Sequence, residues 1–314
     1  MKVINQSISE RFAIYHADCI EFAKGMPDES VGYSIFSPPF SNLFTYSNSD
    51  RDMGNSKSDE EFFIHFGFLI KELYRITKNG RLVSIHCMNI PAMKERDGYI
   101  GIKDFRGDII RAFQKEGFIY HAEVMIWKNP LIEATRTHAL GLLHKQLCKD
   151  SAMVRQGLPD YIITMRKGND NADPIEHPEG LTSYAGSNPP TSGVFSHETW
   201  REYASPVWMD IRQTRTLNFE MARDGKDERH ICPLQLDTIE RCLTLWSKKG
   251  DTVFSPFMGI GSEIYTAVKM GRFGIGTELK ESYFKCAVDN VKKAEDLFLN
   301  GEPKALSIED FLNE

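Results

Sequence analysis

The chain has 314 residues, 41% of them hydrophobic, so it can fill a substantial core without disulfides or metal ions. Its six cysteines form no CxxC pair and no cysteine–histidine cluster at zinc spacing, which disfavours a metal site and indicates a reducing compartment. The net charge of -6 excludes a general coat of positive charge, and no stretch approaches the roughly 18 apolar residues of a membrane helix. We therefore expect a soluble cytoplasmic protein that binds no membrane and no metal.

Strand-like and helix-like segments alternate through the first half of the chain. Short apolar runs predict strands, and apolar residues at every third or fourth position predict helices. The predicted strands are residues 11–18, 31–36, 81–87, 119–127 and 160–167, and the predicted helices are residues 19–26, 59–77 and 105–117. This order predicts an α/β fold with a mostly parallel sheet, in which functional residues follow the strand ends.

The middle of the chain has a different composition. After Lys167 the sequence is rich in Gly, Pro, Asn and Ser without helical or strand periodicity, so we interpret residues 129–229 as a loop-rich insertion. Residues 232–250 then predict an amphipathic helix, with Pro233 near its first turn and Gly250 past its end. A strand, a glycine turn, a helix, a second strand and a last helix follow.

The glycine turn, FSPFMGIGS at residues 254–262, is a candidate ligand loop. Glycines let the backbone approach a ligand, and the helix that starts near Ser262 offers amide donors to an anionic group. Glu278 ends the next predicted strand, where doubly wound folds place the acid that binds ribose hydroxyls. Ile264 replaces the third glycine of the dinucleotide signature, which disfavours a nicotinamide cofactor and favours a smaller nucleoside such as S-adenosylmethionine. A generic strand–helix turn, with Glu278 as a surface acid, is the alternative.

The second candidate site is SPPF, residues 37–40, at the end of a predicted strand. Consecutive prolines fix the backbone, so the carbonyl of Pro38 is held in place before any reaction. Ser37 Oγ and this carbonyl can accept hydrogen bonds from the two N–H groups of the exocyclic amine of a flipped base. Phe40 can stack on that base. The stiffness of the turn is therefore interpreted as functional.

SPPF and SPFMGIGS together resemble the S-adenosylmethionine-dependent DNA amino-methyltransferases, which methylate N4 of cytosine or N6 of adenine. SPPF precedes the cofactor loop here, as in the permuted β group of phage and restriction-modification enzymes. The resemblance covers residues 11–40 and 230–290 well, and it implies a Rossmann-like class I methyltransferase fold with a seven-stranded sheet. By the same resemblance Ser37, Pro38, Pro39 and Phe40 are catalytic, and the cofactor is held by Asp18, Ser255, Phe257, Gly259, Gly261, Ser262 and Glu278.

The resemblance also implies a domain organisation and partners. Residues 1–128 are the catalytic half of the methyltransferase domain, residues 129–229 are the target-recognition region, and residues 230–314 are the cofactor-binding half. Double-stranded DNA is the expected substrate, a restriction endonuclease and a second copy in a homodimer are further partners consistent with the family, and the gene is of bacterial or phage type. The sequence departs from the family at Ser255, where an aspartate is usual.

Serine at the head of SPPF favours cytosine N4, with adenine N6 as the alternative. RNA or protein-glutamine methyltransferases share the Pro-Pro motif, but there the cofactor loop usually comes first. A non-catalytic DNA-binding relative is opposed by the intact SPPF and Glu278, and a nicotinamide enzyme by the missing glycine.

Several other side chains have two interpretations. Basic residues between Lys71 and Lys115 form either a solvated surface or a phosphate-contacting one. His86 is expected in the core rather than as a catalytic base, and Trp127, Trp200 and Trp208 are expected in the core, with contact to the nucleic acid as the alternative. Candidate base-reading or phosphate-binding residues of the target region are Arg136, Lys145, Arg155, Arg201, Arg212 and Arg215.

Overall fold

A nine-stranded mixed sheet forms the centre of the protein. The computed structural model describes residues 3–40, 52–92, 94–137, 144–152, 154–177, 193–218 and 233–301. Within them the strands are β1 Val3–Ile8, β2 Phe12–Ala17, β3 Val31–Phe36, β4 Thr77–Met88, β5 Ile90–Ala92, β6 Gly101–Lys103, β7 Ile119–Ile126, β8 Asp160–Arg166, β9 Val207–Trp208, β10 Thr252–Ser255 and β11 Phe273–Glu278.

The helices lie between these strands in the chain. They are α1 Cys19–Lys24, α2 Asp59–Ile76, α3 Lys94–Asp97, α4 Phe105–Lys115, α5 Pro130–Thr137, α6 His144–Leu147, α7 Gly193–Tyr203, α8 Leu236–Trp246, α9 Ser262–Lys269 and α10 Glu281–Asn300, with a short 3-10 helix at Met53–Asn55.

The sheet order is β1-β2-β11-β10-β3-β4-β8-β7-β9, and β5 and β6 form a separate pair. Strands β2, β11, β10, β3 and β4 run parallel to one another, whereas β8 is antiparallel to both β4 and β7. The expected α/β class is confirmed, and the expected seven strands are extended by β1 and β9 at the two edges. Both edge strands have weak sequence signals, since β1 is largely exposed and β9 has 2 residues.

Helices cover both faces of the sheet and bury its apolar side chains. Helix α2 is capped by Ser58, whose hydroxyl accepts from the amide of Glu61. It packs Phe62, Phe66, Leu69, Ile70, Leu73 and Ile76 into one core cluster together with residues of α1 and α4. On the other face, α8, α9 and α10 pack against β2, β3, β4 and β10. The core is therefore built by both ends of the chain.

The second half needs one correction, at α8, and one addition, in the range 129–229. Helix α8 begins at Leu236 and ends at Trp246, so Pro233 precedes the helix and Ser247, in an extended conformation, terminates it before Gly250. The amide of Leu236 donates to the carbonyl of Arg215 at 2.9 Å, which satisfies the start of the helix from outside. The range 129–229 contains β8, which lies inside the central sheet, as well as β9 and α7.

Some expectations fall on residues outside the described part, namely 41–51 after SPPF, 178–192 and 219–232 of the loop-rich region, and the last residues 302–314. Among the described residues, no helix combines the length and the hydropathy needed to cross a membrane. The described cysteines, Cys19, Cys87, Cys148, Cys242 and Cys286, are all free thiols.

Candidate active site

The two candidate loops follow neighbouring parallel strands. Tyr33 and Ser34 of β3 pair with Val253 and Phe254 of β10, so both strands end at the same edge of the sheet. SPPF continues from β3 and the cofactor loop continues from β10. The rings of Phe36 and Phe257, one from each segment, lie 5.8 Å apart between centroids. The fold therefore places both motifs at one site, as expected for ligand sites of parallel sheets.

The SPPF turn is anchored in the core. Pro38 and Pro39 are buried, whereas Ser37 and Phe40 are half-buried. The ring of Phe40 meets that of Phe105 edge-on, with centroids 6.1 Å apart. Because proline fixes its own φ and Phe40 is held by a neighbouring ring, the turn offers a rigid frame with a partly accessible hydroxyl and an aromatic side chain.

A histidine holds the hydroxyl of Ser37. Ser37 Oγ lies 2.9 Å from Nδ1 of His86 on β4. The register explains the contact, because Phe36 is paired with Ile85 and the next residues along both strands are therefore adjacent. His86 is buried, as the sequence indicated, but it also forms part of the site. Its sequence signal, a histidine near the end of a strand, becomes informative only once β4 is known to lie beside β3.

An ion pair lies behind His86. Asp160 is paired with Met88 across the β4–β8 ladder, so its side chain shares a face with His86. Asp160 Oδ2 lies 3.2 Å from His86 Nε2, within ion-pair distance but without hydrogen-bond geometry among the described residues, and Oδ1 lies 2.6 Å from Lys128 Nζ. Burial raises the pKa of Asp160, but Lys128 and His86 outweigh burial and lower that pKa to about 2. The Ser37, His86, Asp160 and Lys128 side chains thus form a continuous polar chain that contains a buried carboxylate.

The cofactor loop has the shape of a ligand cradle. Gly259 and Gly261 have φ of +54° and +91°, in the left-handed region that favours glycine. A Cβ at Gly259 would meet nothing within 4 Å, so this side of the loop is open, whereas Gly261 lies against Ala287 of α10. The α9 helix begins directly after Gly261. The loop therefore offers an open backbone and helix-start amides to a ligand.

Glu278 stands at the end of β11, as predicted, and is oriented by the loop. Its carboxylate accepts from the amide of Gly259 at 2.9 Å and from that of Lys280 at 2.8 Å. Burial raises its pKa to about 7, even though the amides of Lys280 and Gly259 lower it. Asp18, predicted to hold the cofactor, follows the adjacent strand β2, and its Oδ1 caps α1 by accepting from the amide of Glu21 at 2.9 Å. Both acids lie at the sheet edge where the loop is found.

Two hydroxyls of the loop lack partners. Ser255 Oγ and Ser262 Oγ are buried and form no hydrogen bond among the described residues. Buried polar groups are normally satisfied, so an unpaired pair beside an open backbone fits a bound polar ligand. The methionine end of S-adenosylmethionine carries an ammonium and a carboxylate, and its ribose carries a diol. Ser255, Ser262, the α9 amides and Glu278 are suited to hold these groups.

The candidate DNA-contacting residues divide into two groups. Arg212 and Arg215 form ion pairs with α8, Arg212 to Asp237 at 2.6 Å and Arg215 to both Asp237 and Glu240. Arg155 donates to the carbonyl of Gln156 at 3.0 Å. Lys145 and Arg201 are exposed, and the side chain of Arg136 lies outside the described part. Lys145 and Arg201, which are exposed and form no ion pair with the described residues, are therefore the better candidates for contact with a nucleic acid.

Several basic side chains between Lys71 and Lys115 form ion pairs with acidic residues of the same protein. These pairs are Arg75–Glu72, Arg81–Asp251, Lys103–Asp97, Arg106–Glu123 and Arg111–Asp108. Of the three tryptophans, Trp208 is buried as expected, but Trp127 and Trp200 are 42% and 57% exposed. The core interpretation is therefore wrong for these two, which lie on the surface where aromatic rings can contact a partner.

Comparison with known proteins indicates the family to which the chain belongs. A family model described as DNA methylase, of the N6/N4 type, matches residues 31–289, a range that includes both candidate loops. The Type II methyltransferase M.MjaI of Methanocaldococcus jannaschii is 24% identical over 282 residues, covering 81% of this chain and 83% of that protein.

Two solved structures superpose on most of the chain. TTHA0409 of Thermus thermophilus, complexed with S-adenosyl-L-methionine, has a TM-score of 0.63 at 18% identity and covers 91% of this chain and 96% of its own. The PvuII DNA methyltransferase, which is cytosine-N4-specific, has a TM-score of 0.61 at 13% identity, with 96% and 98% covered. The fold is that of the class I S-adenosylmethionine-dependent methyltransferases, and the chain belongs to the N6/N4 family of DNA methylases.

Proposed function

We propose that this protein methylates the N4 amine of cytosine in double-stranded DNA. The observation that carries the proposal is the position of SPPF, with its half-buried serine, next to the glycine cradle on the adjacent strand. S-adenosylmethionine is the cofactor and supplies an electrophilic methyl group on its sulfonium sulfur. The protein then has to bind the base, orient its amine and exclude water.

The residues of the turn are assigned three roles. Ser37 Oγ and the Pro38 carbonyl accept hydrogen bonds from the two amine N–H groups, which turns the lone pair of the amine nitrogen toward the methyl group. No covalent bond to the enzyme forms. Pro39 keeps the turn rigid. Phe40 stacks on the flipped base, a contact worth about 1–3 kcal/mol.

The choice of cytosine rests on two observations that point the same way. The motif is headed by Ser37, as in the cytosine-N4 members that the sequence resembles, and the PvuII enzyme of the same fold is cytosine-N4-specific. Adenine N6 is the second candidate, because its amine is also conjugated and the family includes both types.

Recognition of the DNA sequence is assigned to residues 129–229, through exposed side chains such as Lys145, Trp200 and Arg201. A restriction endonuclease of the same specificity, a homodimer and a cytoplasmic location belong to the same proposal. They rest on the resemblance, and the Type II methyltransferase relative supports only the restriction-modification context.

The test is to incubate the purified protein with unmethylated DNA and isotope-labelled S-adenosylmethionine, digest the DNA and identify the labelled nucleoside by mass. N4-methylcytosine is the expected product. N6-methyladenine would contradict the choice of base, and unlabelled DNA despite cofactor binding would contradict the proposed activity. Ser37→Ala should abolish the label, whereas Ser34→Ala, the same change on the preceding strand at an unpaired buried hydroxyl, should retain it.

A further inference from the structure

The hydroxyl of Ser37 needs a partner for its own hydrogen. A serine hydroxyl has one hydrogen and two lone pairs, and only the lone pairs can accept from an amine N–H. A hydrogen directed at the substrate would therefore repel the group that Ser37 has to bind. His86 Nδ1, at 2.9 Å, is placed to accept this hydrogen and to turn the lone pairs of Ser37 toward the base.

The surroundings of His86 select one tautomer. Asp160 is ionised, because the nearby Lys128 ammonium outweighs the effect of burial and the pKa of the carboxyl is lowered to about 2, so Asp160 can only accept a hydrogen bond. A neutral His86 facing this carboxylate carries its hydrogen on Nε2, which leaves Nδ1 as an acceptor. Lys128 Nζ, 2.6 Å from the other carboxylate oxygen, fixes Asp160 in place.

Serine also differs from aspartate in what it can do with a proton. Methylation of a neutral amine leaves a positive charge and one excess proton on nitrogen, which an ionised aspartate could accept directly. A serine can pass such a proton on but cannot retain it. The side chains of Ser37, His86 and Asp160 place a base at the second position, and this base is buried beside the Asp160 carboxylate.

We propose that His86, oriented by Asp160, is the positioning residue for Ser37 and the acceptor of the proton that the methylated amine releases. This inference rests on the proposed function for its substrate. As the N–CH3 bond forms and the S–CH3 bond breaks, one amine hydrogen moves to Ser37 Oγ and the Ser37 hydrogen moves to His86 Nδ1. The resulting imidazolium is paired with the Asp160 carboxylate and returns its proton to water after the product leaves.

The first arm of the test measures the tautomer without any substrate. In the full chain labelled with 15N-histidine, the nitrogen shifts of His86, assigned with a His86→Gln variant, should show hydrogen on Nε2 and none on Nδ1. Ser37→Ala should then move the Nδ1 shift, because it removes the donor. Hydrogen on Nδ1, or a shift insensitive to Ser37→Ala, would overturn the positioning role.

The second arm separates binding from turnover. His86→Gln keeps a polar group near the Nε2 position but loses the Nδ1 acceptor, whereas His86→Asn keeps an acceptor near Nδ1. We expect His86→Gln to lower kcat by roughly 10²- to 10³-fold and His86→Asn to lower it less, with the KM for DNA and the Kd for S-adenosylmethionine nearly unchanged. His121→Gln, at an exposed histidine on β7, is the matched control and should retain full kcat.

The outcomes separate the inference from the proposed function. His86 variants that retain kcat within about threefold would overturn the relay, and a parallel loss of DNA affinity, cofactor affinity and folding would assign His86 a merely structural role and overturn it as well. A wild-type protein that methylates no DNA would contradict the proposed function. The tautomer measurement on that same protein would still decide whether His86 orients Ser37.

Discussion

The hydroxyl of Ser255 is buried and has no hydrogen-bond partner in the described part of the chain, at a position where the family usually has an aspartate. If this hydroxyl serves the cofactor, Ser255→Ala should leave the free energy of unfolding unchanged within about 1 kcal/mol or raise it, since an unsatisfied buried polar group is removed. The Kd for S-adenosylmethionine should rise by several-fold, the value of one hydrogen bond. Denaturant unfolding and isothermal titration calorimetry measure the two effects.

Ser34→Ala is the control for Ser255→Ala, because Ser34 Oγ is also buried and unpaired but lies within β3. It should have the same small effect on stability and none on cofactor affinity. Equal Kd values for both variants and the wild type would show that Ser255 has no contact with the cofactor.

Glu278 should make cofactor binding depend on pH. Burial raises the pKa of its carboxyl to about 7, so below that pH the folded protein holds it mostly protonated. Only the ionised form can accept from both ribose hydroxyls, so affinity should increase from about pH 6 to about pH 8, by up to tenfold per pH unit below the pKa. Glu278→Gln should bind more weakly and without this dependence, as measured by titration at several pH values. A wild-type affinity that falls as pH rises would contradict the ribose role.

The turn between β10 and α9 depends on Gly259 and Gly261, whose backbone conformations favour glycine. Gly261 has a φ of +91°, and a Cβ there would lie 3.2 Å from both Ala287 Cβ and Val291 Cγ2 of α10. Gly261→Ala should therefore lower the free energy of unfolding by about 2 kcal/mol or more, from backbone strain and steric overlap together. Gly259→Ala has a strained φ of +54° but open space, so about 1 kcal/mol is expected.

Gly261→Ala should lose more stability than Gly259→Ala, whereas Gly259→Ala should lose more affinity for the cofactor. The methyl group of Gly259→Ala would project into the open side of the loop. The folded Gly259→Ala variant should therefore bind S-adenosylmethionine more weakly than the folded Gly261→Ala variant. Denaturant unfolding gives the first ranking, and calorimetric titration below the transition gives the second. The same ranking in both measurements would contradict the assignment of the open side to the ligand.

Elements with strong periodicity are predicted closely by the sequence. Helix α2 is expected at residues 59–77 and is Asp59–Ile76, because its apolar residues repeat along one face, and β3 is Val31–Phe36 as expected. Strand β1 has no such prediction, since Ile4 and Ile8 are exposed and its pattern does not alternate cleanly. The expected α8 is too long, because its start is fixed by a distant carbonyl, that of Arg215, rather than by Pro233.

The site is predictable to the extent that its residues are adjacent in sequence. SPPF, the glycine loop and Glu278 are contiguous motifs at strand ends, and the structure places them at one edge of the sheet. His86, Asp160 and Lys128 come from three different segments, and they meet because β4, β8 and β7 are adjacent. Such a contact depends on strand order and register, which a single sequence does not specify.

At the scale of the molecule, the two ends of the chain are interleaved in one sheet. Strands β10 and β11 lie between β2 and β3, although they come more than 200 residues later in the sequence. The buried Arg81 of β4 is paired with Asp251, which directly precedes β10. The segments proposed as the cofactor-binding half and the catalytic half therefore share one core.

This arrangement predicts that neither half folds alone. A fragment of residues 1–228 would expose both inner edges of β2 and β3 and would remove Asp251, the buried partner of Arg81. It would also lose α8, α9 and α10, which cover one face of the sheet. We expect this fragment to show no cooperative unfolding transition, and co-expression with residues 229–314 to restore both the transition and the binding of S-adenosylmethionine. A fragment that unfolds cooperatively by itself would mean that the first half contains an independent core, because only a packed core gives an all-or-none transition.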